Sequence, residues 1–412
     1  MSSFQSPGSQ LYLPTITHSP ALAGTTGPVE RFNILPGLTG VRGVAAMGVF
    51  LCHLQPIVLS ILGLDPSIGS RIIGNSFRGV DLFFVLSGFI LFQVHRHEFA
   101  NIRHALLLKF YLLRFFRVYP LNTVVLVFML PLPFLLPEFT AWYRTEHLSQ
   151  GAYHANDFSI AAFVQGILLC QTWTGSKLGT WNEPAWTLSA EVLGYSIFPF
   201  LAMYVGRYNS AARSVLLAAF SLSAFIGLMV IAGHATNNPS GIFGIVRMFT
   251  CFFAGICLCQ FFHLRVIAPS TAKLLTLLST IEIFICLECD WLGTFTVLGF
   301  AGLILGLAFE GGAISSLMKS RPCMFLGRIS FSFYIVHIIP LNLFAWIIGD
   351  RILGFSTDAK MIVIGGIIGT CISLAVLTYK FVEVPFQRLG RRTAARIRVN
   401  VGGEVPVTAT AT

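Results

Sequence analysis

The sequence predicts an all-α fold, a polytopic membrane helical bundle of about ten transmembrane helices with no large soluble domain. Three observations carry this. Only 11% of the 412 residues are charged and 55% are hydrophobic, whereas roughly a quarter of the residues in soluble domains are charged. Runs of about twenty apolar residues recur from Gly37 to Phe381, each long enough to cross a ~30 Å hydrocarbon core. The basic residues behind the net charge of +10 sit in short loops and in "RLGRRTAARIR" (Arg388 to Arg398), directly after the last run. That pattern marks a cytoplasmic face beside anionic lipid and argues against nucleic-acid binding.

The elements follow in order. Residues 1–30, rich in Ser, Pro, Thr and Gly, predict a disordered cytoplasmic tail, and the first apolar run has no small-residue cleavage site behind it. Eleven apolar segments then lie near 37–60, 79–95, 118–137, 158–173, 186–205, 213–233, 241–262, 273–289, 291–309, 324–348 and 360–382. Counted back from a cytoplasmic C-terminus, the loops holding Lys319 and Arg321, His263 and Arg265, and Arg207 and Arg213 fall inside. If all eleven cross, the basic loop 95–117 lands outside. The conflict disappears if segment 158–173, interrupted by Gln165, Gly166 and Gln171, is re-entrant or interfacial. Ten spans remain, with both termini cytoplasmic. Residues 31–390 form the membrane domain and 391–412 a basic to flexible tail. The nine cysteines lie mostly inside apolar runs as small hydrophobes. "CLEC" (Cys286 to Cys289) lacks a second pair or histidine cluster and reads as packing, so no metal is expected.

Several polar residues interrupt these runs. In "GVRGVAAMGVFLCH" (Gly40 to His53), Arg42 and His53 are eleven residues apart, which returns the second side chain to within about 20° of the first and about 16 Å along the axis. Arg42 reads either as a snorkelling anchor or as a functional cation, and His53 either as an interhelical hydrogen bond or as a reactive group. In "RFFRVYP", Arg114 and Arg117 are i, i+3 neighbours suited to gripping a polyanion such as phosphate, although topology alone also favours arginines there. "GVDLFFVLSGF" carries Asp81 just inside the membrane, with Ser87 and Gly88 suited to close packing. "NEPAWTLSAEVLGY" puts Glu191 within a span, below an interfacial belt of Trp181 and Trp186. In "LGRISFSFYIVH", Ser330, Tyr334 and His337 share a helix face, as a packing seam or as the lining of a site. Glu383 reads as a rim ion pair beside Lys380 and Arg388.

Taken together, these blocks resemble the acyltransferase-3 family, integral membrane enzymes that acylate extracytoplasmic glycans and some other acceptors. "LTGVRG" with His53 eleven residues after the arginine, "FFVLSGF", "RFFRVYP", "WTLSAE", "SFSFYIVH" and Glu383 with Pro385 match six family blocks in order, over about residues 33–390. Thr39, Val192 and Gly194 depart from the usual residues at their positions. The resemblance implies ten spans, His53 as the catalytic histidine, and Arg42, Arg114 and Arg117 as essential arginines. Many relatives carry a hydrolase-like domain after the last span. About thirty residues follow it here, so the resemblance implies membrane-embedded chemistry.

The implied reaction is transfer of an acyl group, acetyl foremost, from a CoA thioester to a hydroxyl of a cell-surface glycan or exopolysaccharide. No permanently bound cofactor is expected, and the setting is a cell membrane, the bacterial inner membrane foremost. Arg42, Arg114 and Arg117 would hold the donor phosphates, and His53 would act as base or as covalent acyl carrier. Glu191 or Asp81 would orient its imidazole. A transporter or flippase is the rival, with Arg, His and Glu marking its pathway. Neither internal repeats nor paired broken helices speak for it. A receptor with a degenerate site is a second rival.

Overall fold

The computed structural model describes residues 35–142, 158–174, 181–231, 241–310 and 312–397. The predicted N-terminal tail and the end of the C-terminal tail lie outside the described residues. Helix α1 (Pro36–Leu62) opens on a proline, whose missing N–H is free of partners in a first turn, and closes on Gly63, left-handed at φ 69°. There follow α2 (Gly79–His95), α3 (His104–Met129), α4 (Ile160–Leu168), α5 (Ala185–Gly206), α6 (Ala211–Ile231) and α7 (Gly241–Leu264). Further on lie α8 (Pro269–Glu288), α9 (Thr296–Ala308), α10 (Gly312–Met318), α11 (Arg321–Val336), α12 (Ile338–Ile348), α13 (Thr357–Thr378) and α14 (Val384–Ala395), and two single-turn helices, Arg71–Gly74 and Leu132–Leu135, are left unnumbered. Among the described residues, nine helical segments are long and apolar enough to cross a membrane, and α11 with α12 as one bent span makes ten. The protein is a polytopic membrane helical bundle.

Segment 158–173 contains only the nine-residue α4, about 14 Å long and too short to cross. Asn122 of α3 donates to the Gly166 carbonyl (2.9 Å), and Trp181 Nε1 donates to the Ser159 carbonyl (3.0 Å). These bonds hold α4 against protein, where a non-spanning helix can satisfy its ends.

Two seams set the interior. A Cβ on Gly40 would fall on the Met318 carbonyl, one on Gly43 on the backbone of Leu326 and Gly327, and one on Gly327 on the Thr39 carbonyl. The backbone of α1 therefore touches the end of α10 at Gly40 and that of α11 where "TGVRG" meets "LGRIS". Gly88 of α2 and Gly255 of α7 do the same, each against the other helix's backbone. With no solvent-driven attraction between helices in lipid, such small-residue contacts supply packing directly.

Three boundaries differ from the sequence reading. Helix α3 starts at His104 rather than near 118, so most of the expected basic loop is helical. Leucines and phenylalanines alternate with its basic residues densely enough to continue a span once Arg114 and Arg117 face other helices. The single span expected over 324–348 is broken, α11 and α12 meeting at 55° with His337 between them. The last span runs through a π-helical turn, Tyr379–Glu383, into the amphipathic α14, so helix extends to Ala395 within the expected tail.

Candidate functional site

The first half of the site is a cluster of three arginines and two glutamates. Arg42, on the second turn of α1, faces the charges of Arg117, Glu383 and Glu191 and the hydroxyl of Tyr195. Arg117 Nη1 donates to Glu383 Oε1 at 2.8 Å and its guanidinium lies 4.9 Å from the Phe331 ring centroid. Ser332 donates to the other oxygen of Glu383 (2.7 Å), and Gln387 to the first (3.0 Å). The expected rim pairing of Glu383 with Lys380 and Arg388 gives way to this one. The π-helical turn ends on Glu383 and the residue is buried, away from the surface cations next to it in sequence. Arg114 lies over the Phe110 and Tyr195 rings at 5.6 and 5.9 Å. Its Nε is buried without a hydrogen-bond partner among the described residues. Glu191 accepts from Ser87 and faces Tyr195. Three guanidinium groups against two carboxylates leave one positive charge in excess, in surroundings where a bound anion is weakly screened.

The second half lies further along α1. His53 meets the ring of His337 at a centroid spacing of 5.4 Å, 40° from coplanar. Phe50 packs against both Phe333 (5.1 Å) and His337 (6.2 Å), and Tyr334 packs on His337 at 6.0 Å. Tyr334 stacks edge-on against Phe83 at 5.7 Å. Ser330 is buried and donates to the Gly327 carbonyl of its own helix (2.9 Å).

Asp81, weighed as a partner for the imidazole, is gripped through both oxygens by Arg247 of α7. Nε reaches Oδ1 at 2.6 Å and Nη2 reaches Oδ2 at 3.0 Å, and both side chains are 6% exposed. This is the fork geometry in which arginine binds carboxylate most strongly. The Arg247 guanidinium also lies 5.9 Å from the Trp186 ring centroid. Outside the spans, Glu98 accepts from His95 at 2.7 Å. Partial burial works against its charge, yet the His95 bond and nearby basic residues hold its carboxyl below the usual range.

A family model described as an acyltransferase domain matches residues 35–379. The chain belongs to the acyltransferase-3 family. It is 23% identical over 385 residues to O-acetyltransferase OatA of Staphylococcus aureus (strain NCTC 8325 / PS 47), covering 88% of this chain and 58% of that protein. Acyltransferase MdmB of Streptomyces mycarofaciens is 30% identical over 176 residues, 40% of this chain and 38% of the relative. Putative O-acetyltransferase SACOL0978 of S. aureus (strain COL) is 22% identical over 383 residues, again 88% and 58%. The chain thus spans under two thirds of the length of these relatives. No solved structure matches it.

Within this acyltransferase-3 chain, Arg42, Arg114, Arg117 and Glu191 come together at one level, and His53, Tyr334 and His337 at another. Sequence reasoning missed Arg247, although "GIFGIVRMFT" held the signal. A lone arginine in an apolar helix needs a counter-ion, and Asp81 was an anion in want of one. It also read Ser87 as packing, whereas Gly88 supplies the packing and Ser87 holds Glu191.

Proposed function

We propose that this acyltransferase-3 protein transfers an acyl group, acetyl foremost, from a CoA thioester to a hydroxyl of an extracytoplasmic glycan. The observation that carries the reading is the arrangement along α1, with three arginines around Glu191 and Glu383 at one end. The ring of His53, about 16 Å further on, meets that of His337. That separation suits a donor whose phosphates sit among the arginines while its pantetheine arm reaches up to the imidazole. The names of OatA and SACOL0978, both O-acetyltransferases, support acetyl transfer to oxygen. With both termini cytoplasmic, the arginine end opens toward the compartment where CoA thioesters are made.

In the reaction, His53 takes the proton of the acceptor hydroxyl as its oxygen attacks the thioester carbonyl. An ester C–O bond forms and the C–S bond breaks, its electron pair staying on sulfur. The imidazolium returns the proton to the thiolate, releasing the CoA thiol. Arg114, with an uncommitted Nε, is the arginine readiest to take a phosphate oxygen. Arg117 exchanges part of its Glu383 contact for the donor, and Arg42 adds charge from the facing helix. Asp81, held by Arg247, keeps the outer ends of α2 and α7 together, and Glu191 serves the arginine cluster.

The test is transfer of radiolabelled acetyl from acetyl-CoA to an oligosaccharide by the full chain purified in detergent. Turnover lost in His53→Ala, with acetyl-CoA affinity retained, is the expected result. A wild-type protein that transfers nothing, or a His53→Gln variant with near-normal turnover, would refute the reading.

A further inference from the structure

The acyltransferase reading puts a second histidine beside the catalytic one. Both carboxylates that the sequence offered are engaged elsewhere, Asp81 with Arg247 through each oxygen and Glu191 with Ser87. A second imidazole, that of His337, lies against the His53 ring.

The tautomer of His337 follows from its surroundings. Its Nδ1 lies 2.9 Å from the Tyr334 carbonyl and 3.2 Å from that of Phe333. Carbonyl oxygens only accept, so Nδ1 carries the proton and Nε2 presents a bare lone pair. His337 is 1% exposed, and this Nε2 is a buried acceptor with no hydrogen-bond partner among the described residues. Buried polar atoms are paired in the great majority of cases, so an orphan at a candidate site points to a partner engaged in another state. The residue also sits where α11 and α12 break at 55°, with Phe50 and Tyr334 packed on its ring. Its own helix bonds and these rings fix its orientation. At a centroid spacing of 5.4 Å to His53, ring nitrogens lying on the line between the centroids are about 3 Å apart, the usual hydrogen-bond range, and with His337 held a turn of the His53 ring alone would complete the bond.

We propose that His337 is the positioning residue of the site, its Nε2 accepting the N–H of the His53 ring. This fixes the His53 tautomer whose other nitrogen takes the acceptor proton, the part a carboxylate plays in hydrolase triads. When His53 becomes an imidazolium, the same bond becomes charge-assisted and holds the ring in line for return of the proton to sulfur. A neutral acceptor suits a site inside the membrane, where a further buried carboxylate would need a cation of its own. The proposal rests on the acyl-transfer reading for its catalytic consequence but not for the pairing itself.

Two variants and two readouts test it on the full chain in detergent. His337→Phe keeps a flat ring for Phe50 and Tyr334 but removes the acceptor, and His337→Gln offers an amide oxygen in its place. His337→Phe is expected to lower kcat by about 10- to 100-fold, part of the 10²–10⁴ that general-base catalysis contributes. The KM for acetyl-CoA should stay unchanged, and His337→Gln should recover most of the turnover. In ¹⁵N-histidine NMR, the His53 ring should show one tautomer in the wild type and a mixture in His337→Phe. Unchanged kcat in His337→Phe, or the same His53 tautomer in both proteins, overturns the proposal. So does equal loss in both variants, which marks a packing role. A wild-type protein without transfer activity sinks the acyltransferase reading instead, and the NMR comparison alone then decides the pairing.

Discussion

Replacing Arg247 with methionine leaves the Asp81 carboxylate buried without its fork of donors. Both partners are 6% exposed, and the two bonds lost measure 2.6 and 3.0 Å. Stranding one charge of such a pair costs about 3–5 kcal/mol. Arg78 also faces Asp81, so the lower end, about 3 kcal/mol, is the figure expected. Unfolding midpoints move by about 2–4 °C per kcal/mol in chains of 150–250 residues and by less in longer ones, so a drop of several degrees should follow. Removing both charges, in Asp81→Leu with Arg247→Met, deletes the stranded group and should return most of that loss, since apolar replacement of a buried pair is often neutral. The assay is thermal unfolding in detergent, followed by intrinsic tryptophan fluorescence, on the wild type, both single variants and the double. A single Arg247→Met variant no less stable than the double would refute the coupling. Acetyl transfer by the double variant then separates two roles. Retained turnover confines Asp81 to the pair with Arg247, whereas loss despite restored stability makes Asp81 part of the chemistry.

Three further outcomes follow from the same geometry. Arg114→Ala and Arg117→Ala should each weaken acetyl-CoA binding by about 1.5–3 kcal/mol, the worth of one charge-assisted contact, and calorimetry showing unchanged affinity in the double variant would remove both from the donor site. Gly88→Val puts side-chain atoms where the Phe252 carbonyl lies, and overpacking of about 1–3 kcal/mol should lower the unfolding midpoint well beyond that of Gly206→Val, where nothing lies within 4 Å. If 158–173 does not cross, accessibility reporters near His154 and Lys177 should read the same side of the membrane, and opposite readings would dismiss the ten-span topology.

The fold class and most spans were legible in the sequence because they depend on local quantities. A run of about twenty apolar residues needs no partner to declare itself, since its length against the bilayer suffices. The position of His53 relative to Arg42 was equally local, being fixed by the pitch of one helix. Boundaries failed where polar residues met protein rather than water or lipid. The basic residues of α3 looked like a loop because their shielding helices are distant in sequence. The break at His337 did have a local cause, since Pro340 has no N–H for the Val336 carbonyl and its ring crowds that carbonyl, and the sequence reading of 324–348 as one span overlooked it.

Pairing was what only the tertiary structure decided. Asp81 and Arg247 are 166 positions apart, as Glu383 and Arg117 are 266, and in each case the sequence offered nearer partners of suitable sign. A buried charge takes whichever counter-ion the helix packing brings within reach, because desolvation makes the pairing obligatory without specifying the partner. The contact of His53 with His337 has the same origin. Glycines at 43 and 327 let α1 and α11 touch along their backbones, and that close approach brings the two imidazole rings to a centroid spacing of 5.4 Å.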